Sequence, residues 1–266
     1  MREALAMVRM QWLTARSYRL QMVLSFATLL LTLVPVYFIG RALDPTMAAS
    51  ISREGGDYFG FLVLGVAVLP LVSAAVGTLP AAIAGGIGTG TLESLLGTPI
   101  RLPALVAGLC GYSLLWGALR AILVVVAGVV LGMHVAWGQF ALSATIVALI
   151  VLAYLPVGLV AASLVLRFRT AAELPKLAVY ASVFLGGVYY PTGAIPTWIR
   201  HLADLVPISF GLRALRRVLL QGATLPTVVG DIGALVLFAV VTTAIGAFAL
   251  RSALRHVRKA GTTAQY

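Results

Sequence analysis

From Leu20 to Gly40 the chain runs for 21 residues without a charge, and similar uncharged or nearly uncharged stretches recur along its length. About 20 apolar residues in helical conformation cover the hydrocarbon core of a bilayer. A polypeptide with several such runs has lipid as the solvent for most of its surface, because every backbone polar group must then be satisfied inside a helix or a closed barrel. Composition agrees. Apolar residues make up 61% of the 266 positions and charged residues 10%, and mean hydropathy is +1.04. A soluble core could not hide that much apolar surface.

Six spans are read from the pattern: Leu20–Gly40, Phe59–Pro80, Ala104–Gly132, Phe140–Leu166, Leu177–Tyr190 and Ile232–Leu250. The fifth is interrupted by Gly186-Gly187 and then Pro191. Arg41–Asp57 reads as a polar loop with a turn at Asp44-Pro45, and His134–Gln139 as a tight turn. Residues 1–19 place Arg2, Arg9 and Arg16 on one stripe and Leu5, Val8 and Trp12 on another. That pattern predicts an amphipathic helix in the membrane interface, an ordinary cytoplasmic extension being the alternative. Residues 251–266 read as a basic cytoplasmic tail, and residues 1–266 as a single all-α transmembrane domain.

The net charge of +11 would suggest nucleic acid in a soluble protein. Here the arginines sit at the ends of apolar runs, where they fix orientation against anionic lipid, and no basic soluble module exists to read a nucleic acid. With both termini cytoplasmic, the inner segments hold Arg2, Arg9, Arg16, Arg19, Arg101, Arg167, Arg169, Lys176, Arg251, Arg255, Arg258 and Lys259. The outer ones hold Arg41, Arg53, Arg200, Arg213, Arg216 and Arg217. The excess is about two to one in favour of that orientation. Four arginines in the last outer segment fit only if it dips into the interface; a five-span topology that puts the segment inside is the rival.

Several chemistries lack their residues. Gly85–Gly90 is glycine-rich without a following Gly-Lys-Ser/Thr, so no phosphate-binding loop is expected. His134, His201 and His256 are scattered, and Cys110 is the only cysteine, so no metal site is expected. No catalytic residues are assigned. Arg120 stands inside the third span. It reads either as an anchor snorkelling outwards or as a contact for an anionic group on a substrate.

Two motifs carry more information. Gly90-Thr91-Leu92-Glu93-Ser94-Leu95-Leu96-Gly97-Thr98-Pro99 is a polar island between apolar runs. Thr91 can cap a short helix, Glu93 falls in its favourable first turn, and Pro99 stops it. On physics alone this is an interfacial loop helix. The second is Gly187-Val188-Tyr189-Tyr190-Pro191, followed by Ile195-Pro196-Thr197-Trp198-Ile199, Val206-Pro207-Ile208-Ser209-Phe210 and Leu215-Arg216. Three prolines with glycines and aromatics suit short re-entrant segments, or an outer loop with an aromatic belt.

Together these motifs resemble those of type-2 ATP-binding-cassette transporter permeases, which include drug, nodulation-factor and surface-polysaccharide exporters. The resemblance implies that Thr91, Leu92, Glu93, Leu95, Leu96 and Pro99 form a cytoplasmic coupling helix that docks on a separate nucleotide-binding subunit. Ile87 and Gly88 replace the charges common before that motif, which implies a less polar contact. Tyr189, Tyr190, Pro191, Pro196, Trp198 and Pro207 would belong to re-entrant helices closing the outer side, with Arg213 where a less basic residue is common. ATP and magnesium would bind the partner rather than this chain, two permease copies or paralogues would pair, and the assembly would sit in a prokaryotic plasma membrane. The cargo would be amphipathic or lipid-like. An ion-driven secondary transporter and a membrane-embedded lipid enzyme are the other readings of the chain.

Overall fold

The computed structural model describes residues 9–10, 12, 19–47, 51, 57–90, 102–168, 173–191 and 201–260. Among them the regular structure is all helical, with no strand. The principal helices are α1 (Arg19–Met47), α2 (Tyr58–Gly88), α3 (Leu102–Val130), α4 (Phe140–Phe168), α5 (Leu174–Leu185), α6 (Pro207–Gln221) and α7 (Leu225–Ala260), with a 3-10 turn at Trp137–Gln139 before α4. Five stretches are long and apolar enough to cross a bilayer: Met22–Met47, Tyr58–Gly88, Val106–Val130, Trp137–Phe168 and Leu225–Ala253. The sequence-expected fifth span is shorter. Twelve residues of α5 rise about 18 Å, well under the roughly 30 Å of a hydrocarbon core.

Helix α2 is the centre of the bundle, packing on α1, α3, α4, α5 and α6. Its first half is buried almost residue by residue, with Phe59, Phe61, Val63 and Leu64 fully enclosed. Two carboxylates hold its start. Asp57 accepts from the Phe59 amide at 3.1 Å, and Asp44 of α1 accepts from the Tyr58 amide at 2.8 Å. These bonds satisfy N–H groups that a helix start leaves without partners. Residues Val68, Val72 and Val76 of α2 then meet Ile146, Ile150 and Tyr154 of α4 and Ile208 and Leu212 of α6 in one apolar cluster.

The connections define two ends. Arg41, at the end of α1, donates to the Leu131 carbonyl at 3.4 Å, and the Ala136 amide donates to Leu219 of α6 at 2.8 Å. The α1–α2, α3–α4 and α6–α7 connections therefore gather at one end, called here the Trp137 end. At the opposite, Glu173 end, Leu79, Ile83, Cys110, Leu166 and Leu250 form a separate apolar cluster.

Several boundaries differ from those expected. Helix α1 runs through Arg41 and Asp44-Pro45 to Met47, so the expected loop beginning at Arg41 begins later. Arg41 tolerates the helix because it also lies over the rings of Tyr37 and Phe59. Helix α2 passes Pro80 and reaches Gly88, taking in most of the glycine-rich stretch that precedes the polar island. Helix α7 begins seven residues before Ile232 and extends to Ala260, so the first part of the expected tail is helical. Of the expected interfacial helix, Arg9, Met10 and Trp12 are described and are helical. The Trp12 ring meets Tyr112 of α3 edge-on at 6.4 Å.

Gly65 marks the closest approach to α2. A Cβ there would run into the Val188 carbonyl, whereas one on Gly85 of the same helix would meet nothing within 4 Å. Alanine in a helix is favoured over glycine by about 1 kcal/mol, and overpacking against backbone costs about 1–3 kcal/mol. Gly85→Ala is thus expected to hold or raise the thermal midpoint of the detergent-purified protein, and Gly65→Ala to lower it. Equal shifts in the two would contradict this packing.

Candidate functional site

Helix α6 is built as an amphipathic insert. Pro207 stands in its first turn, where the missing N–H costs nothing, and Gly222 ends it at φ 67°. Between them Ile208, Leu212, Leu215 and Val218 are buried along one stripe, while Arg213, Arg216 and Arg217 lie to its side. Its Pro207 end packs at depth: Ile208 lies against Gly186, and Gly211 against Ile150 in the interior of α4. Its Gln221 end reaches Ala136 at the Trp137 end. Helix α6 thus occupies the depth that α5 leaves by stopping at Leu185.

Arg216 joins the two short helices to α2. It is 2% exposed, and its guanidinium donates to the carbonyls of Phe61 (3.1 Å), Gly187 (3.0 Å) and Val188 (3.1 Å). It also lies over the Phe61 ring, 3.3 Å from the centroid. Three carbonyl dipoles and a ring face replace hydration of the cation. The Gly187 and Val188 carbonyls are available because the chain turns there in a left-handed conformation, Gly187 at φ 68°, and because Gly65 leaves room for Val188.

The expected outer-side residues meet at this turn. Tyr58 donates to the Tyr189 carbonyl at 2.7 Å, and the Tyr190 hydroxyl donates to Phe184. Pro191 is buried and Tyr189 is 44% exposed. Pro207 opens α6. Pro196 and Trp198 lie outside the described residues, as do Thr91, Leu92, Glu93, Leu95, Leu96 and Pro99. The adjacent arginines share one acid: Arg213 contacts Asp231 of α7 at 2.7 Å and Arg217 contacts it at 3.6 Å. Asp231 and Tyr58 were missed as partners in the sequence. Placing the last span after Asp231 removed that acid from consideration, although two arginines at helical spacing on α6 signal a need for one.

Arg120 occupies a different face. An open cleft of about 690 Å³ lies between α1, α2 and α3, lined among others by Ser73, Thr78, Tyr112, Trp116, Arg120 and Tyr189. The span Val106–Val130 has its midpoint at Ala118, so Arg120 is two residues from the centre. Ten residues separate it from Val130, a rise of about 15 Å, further than an arginine side chain extends. Its Nε is buried without a hydrogen-bond partner, and its guanidinium is 5.9 Å from the Trp116 ring centroid. A second cleft of about 820 Å³ between α1 and α3 is lined almost wholly by apolar side chains such as Leu30, Val34, Phe38 and Val126. No cluster of potential metal ligands occurs among the described residues.

Five helices of membrane-spanning length, with an open cleft between three of them, fit a multi-pass membrane protein. Residues 2–220 match the family model described as ABC-2 type transporter, and the chain belongs to that family. It is 29% identical over 175 residues to Nodulation protein J of Bradyrhizobium diazoefficiens, covering 63% of this chain and 64% of that protein. It is 26% identical over 208 residues to Nodulation protein J of Rhizobium leguminosarum bv. trifolii, covering 77% and 78%. A third similarity, 28% identity over 116 residues, is to the Linearmycin resistance permease protein LnrN of Bacillus subtilis, covering 44% of this chain and 30% of that protein. The chain thus spans just under two thirds of the first of these relatives.

Removing the Arg216 guanidinium leaves buried carbonyls without their donors, at about 1–3 kcal/mol for each unsatisfied group. Arg216→Met is accordingly expected to lower the thermal midpoint of the purified protein far more than Arg217→Met, whose side chain is partly exposed. Comparable effects of the two would mean that the carbonyl cage does not hold the short helices in place.

Proposed function

We propose that this chain is the membrane subunit of an ATP-driven exporter, working with a separate nucleotide-binding subunit and a second permease copy or paralogue. The observation that carries this reading is the family match across residues 2–220. One relative is named a resistance permease, which supports outward movement; the amphipathic character of the cargo is inferred from the walls of the clefts. Cargo of that kind suits clefts walled by apolar and aromatic side chains.

In this reading both termini are cytoplasmic, in a prokaryotic plasma membrane, and the Trp137 end faces outwards. Helix α5 enters from the inside and ends at Gly186-Gly187. Helix α6 is the rising arm of a re-entrant segment, and Arg216 ties that segment to α2. Arg213 and Arg217 are tolerated near the outer face because Asp231 pairs with both. The connection from Gly88 to Leu102 leaves from the Glu173 end, the side on which a cytoplasmic motor would dock on Thr91–Pro99. ATP and magnesium are assigned to that motor. Its closure would push on α2 and α3 together, and α2 carries the push to the Arg216 cage.

An ion-driven carrier would need a carboxylate in the membrane free to take up protons. Asp231, two turns into a membrane-length helix, is instead held by two guanidinium groups, which favours a structural anion.

Glu93→Arg and Leu96→Asp are each expected to reduce recovery of a soluble ATPase with the tagged permease in mild detergent, while membrane insertion is unchanged. A crosslinked native complex without such an ATPase would overturn the exporter reading. Full recovery and normal transport with both variants would overturn the docking assignment alone.

A further inference from the structure

Arg120 poses a problem that the exporter reading does not solve. A charged side chain near the centre of a spanning helix costs on the order of 3 kcal/mol even on the most lenient scale, and such residues normally pair with an acid or with backbone carbonyls. Arg216 does so; Arg120 does not. No acidic residue lines its cleft, and its Nε has no partner. The cleft around it is otherwise suited to hold something. Thr32, Ser73, Thr78 and Ser113 bring hydroxyls to it, although Thr32 and Thr78 donate theirs to carbonyls in their own helices. Pro70 has no N–H, so the Val66 carbonyl has no helical donor four residues on, and both residues line the cleft. One wall is flat: the rings of Tyr112 and Trp116 lie nearly parallel, 11° apart with centroids 6.5 Å apart.

We propose that this cleft binds an amphiphile bearing one anionic group, a carboxylate or a phosphate, with the anion on the Arg120 guanidinium and the apolar part along the Tyr112–Trp116 wall. The guanidinium supplies donors in a fork that matches either oxyanion. The ligand supplies the counter-charge that the protein omits. A neutral amphiphile of the same shape would leave the Arg120 guanidinium without a counter-charge, so charge sets the preference. Tyr189 lines the same cleft and has its carbonyl held by Tyr58, which connects the ligand to the turn caged by Arg216. That the ligand is cargo rests on the exporter reading. Its binding does not, and a measurement on the permease alone separates the two.

The test uses the full-length permease in phosphatidylcholine nanodiscs, with Trp12, Trp137 and Trp198 replaced by phenylalanine so that Trp116 alone emits. Dibromostearic acid, at a pH where its carboxylate is ionised, is compared as a quencher with its methyl ester. The acid is expected to reach half-quenching at a concentration about tenfold lower than the ester. Arg120→Gln should remove the difference, Arg120→Lys should keep part of it, and sodium acetate should not displace the acid. Repeating the titration in phosphatidylglycerol nanodiscs distinguishes the sources. Competition there assigns the anion to a resident lipid headgroup, and its absence assigns it to a single-chain amphiphile. Equal quenching by acid and ester with Arg120 in place would overturn the proposal without reference to any variant. So would a preference that survives Arg120→Gln, or displacement by acetate alone.

Discussion

The cation of Arg216 cannot be buried in an apolar bundle unless backbone oxygens are brought to it, and the arrangement of the Trp137 end follows from that requirement. Phe61, Gly187 and Val188 supply the oxygens. For the last two to face α2, α5 must stop at Leu185 and the chain must turn through Gly186-Gly187. For Val188 to come close enough, α2 must carry no side chain at position 65. Stopping α5 early leaves a volume beside α2 and α4, and α6 fills it with Ile208, Leu212 and Leu215. A buried arginine, two glycine positions and a half-length helix are therefore parts of one solution.

The two arginines at depth contrast usefully. Both lie against α2 and near aromatic rings, Arg216 over Phe61 and Arg120 by Trp116. One is saturated by the protein's own carbonyls and fixes structure. The other has a donor left without an acceptor, faces an open cleft, and is suited to a ligand. Tyr189 touches both regions, with its backbone in the caged turn and its residue on the cleft wall. In the proposed exporter, occupancy of the cleft and the position of the α5–α6 segment would be linked through this residue.

Much of the helical layout was legible from hydropathy alone. Helices α3 and α4 begin and end within two residues of expectation, because the strongly apolar runs there meet at an unambiguous turn around Gly132–Gln139. The other boundaries depended on partners distant in sequence. Arg41 and Asp44 read as loop residues, yet they stay helical because Leu131 and the Tyr58 amide take up their polar groups. Asp231 read as the residue before a span, yet it lies inside α7 because Arg213 and Arg217 neutralise it. The tyrosine and proline motif marked the turn at Tyr189–Pro191, but the role of Arg216 was not visible, since it depends on carbonyls 155 and 28 residues away. Arg120 was legible as an anomaly. The cleft it faces became visible only with α1 and α2 packed beside α3. The Thr91–Pro99 segment lies outside the described residues, so its role rests on resemblance and family membership.

The central claim is that α5 and α6 are half-depth elements that bring Gln221 to the same membrane face as the α3–α4 turn, opposite Glu173. It is tested by placing single cysteines at His134, Gln221 and Glu173, all exposed positions, in a background with the buried Cys110 replaced by alanine. Intact cells are then treated with a membrane-impermeant maleimide. The account predicts labelling at positions 134 and 221 in intact cells, and at 173 only after permeabilisation. Labelling of position 221 together with 173 rather than with 134 would contradict it.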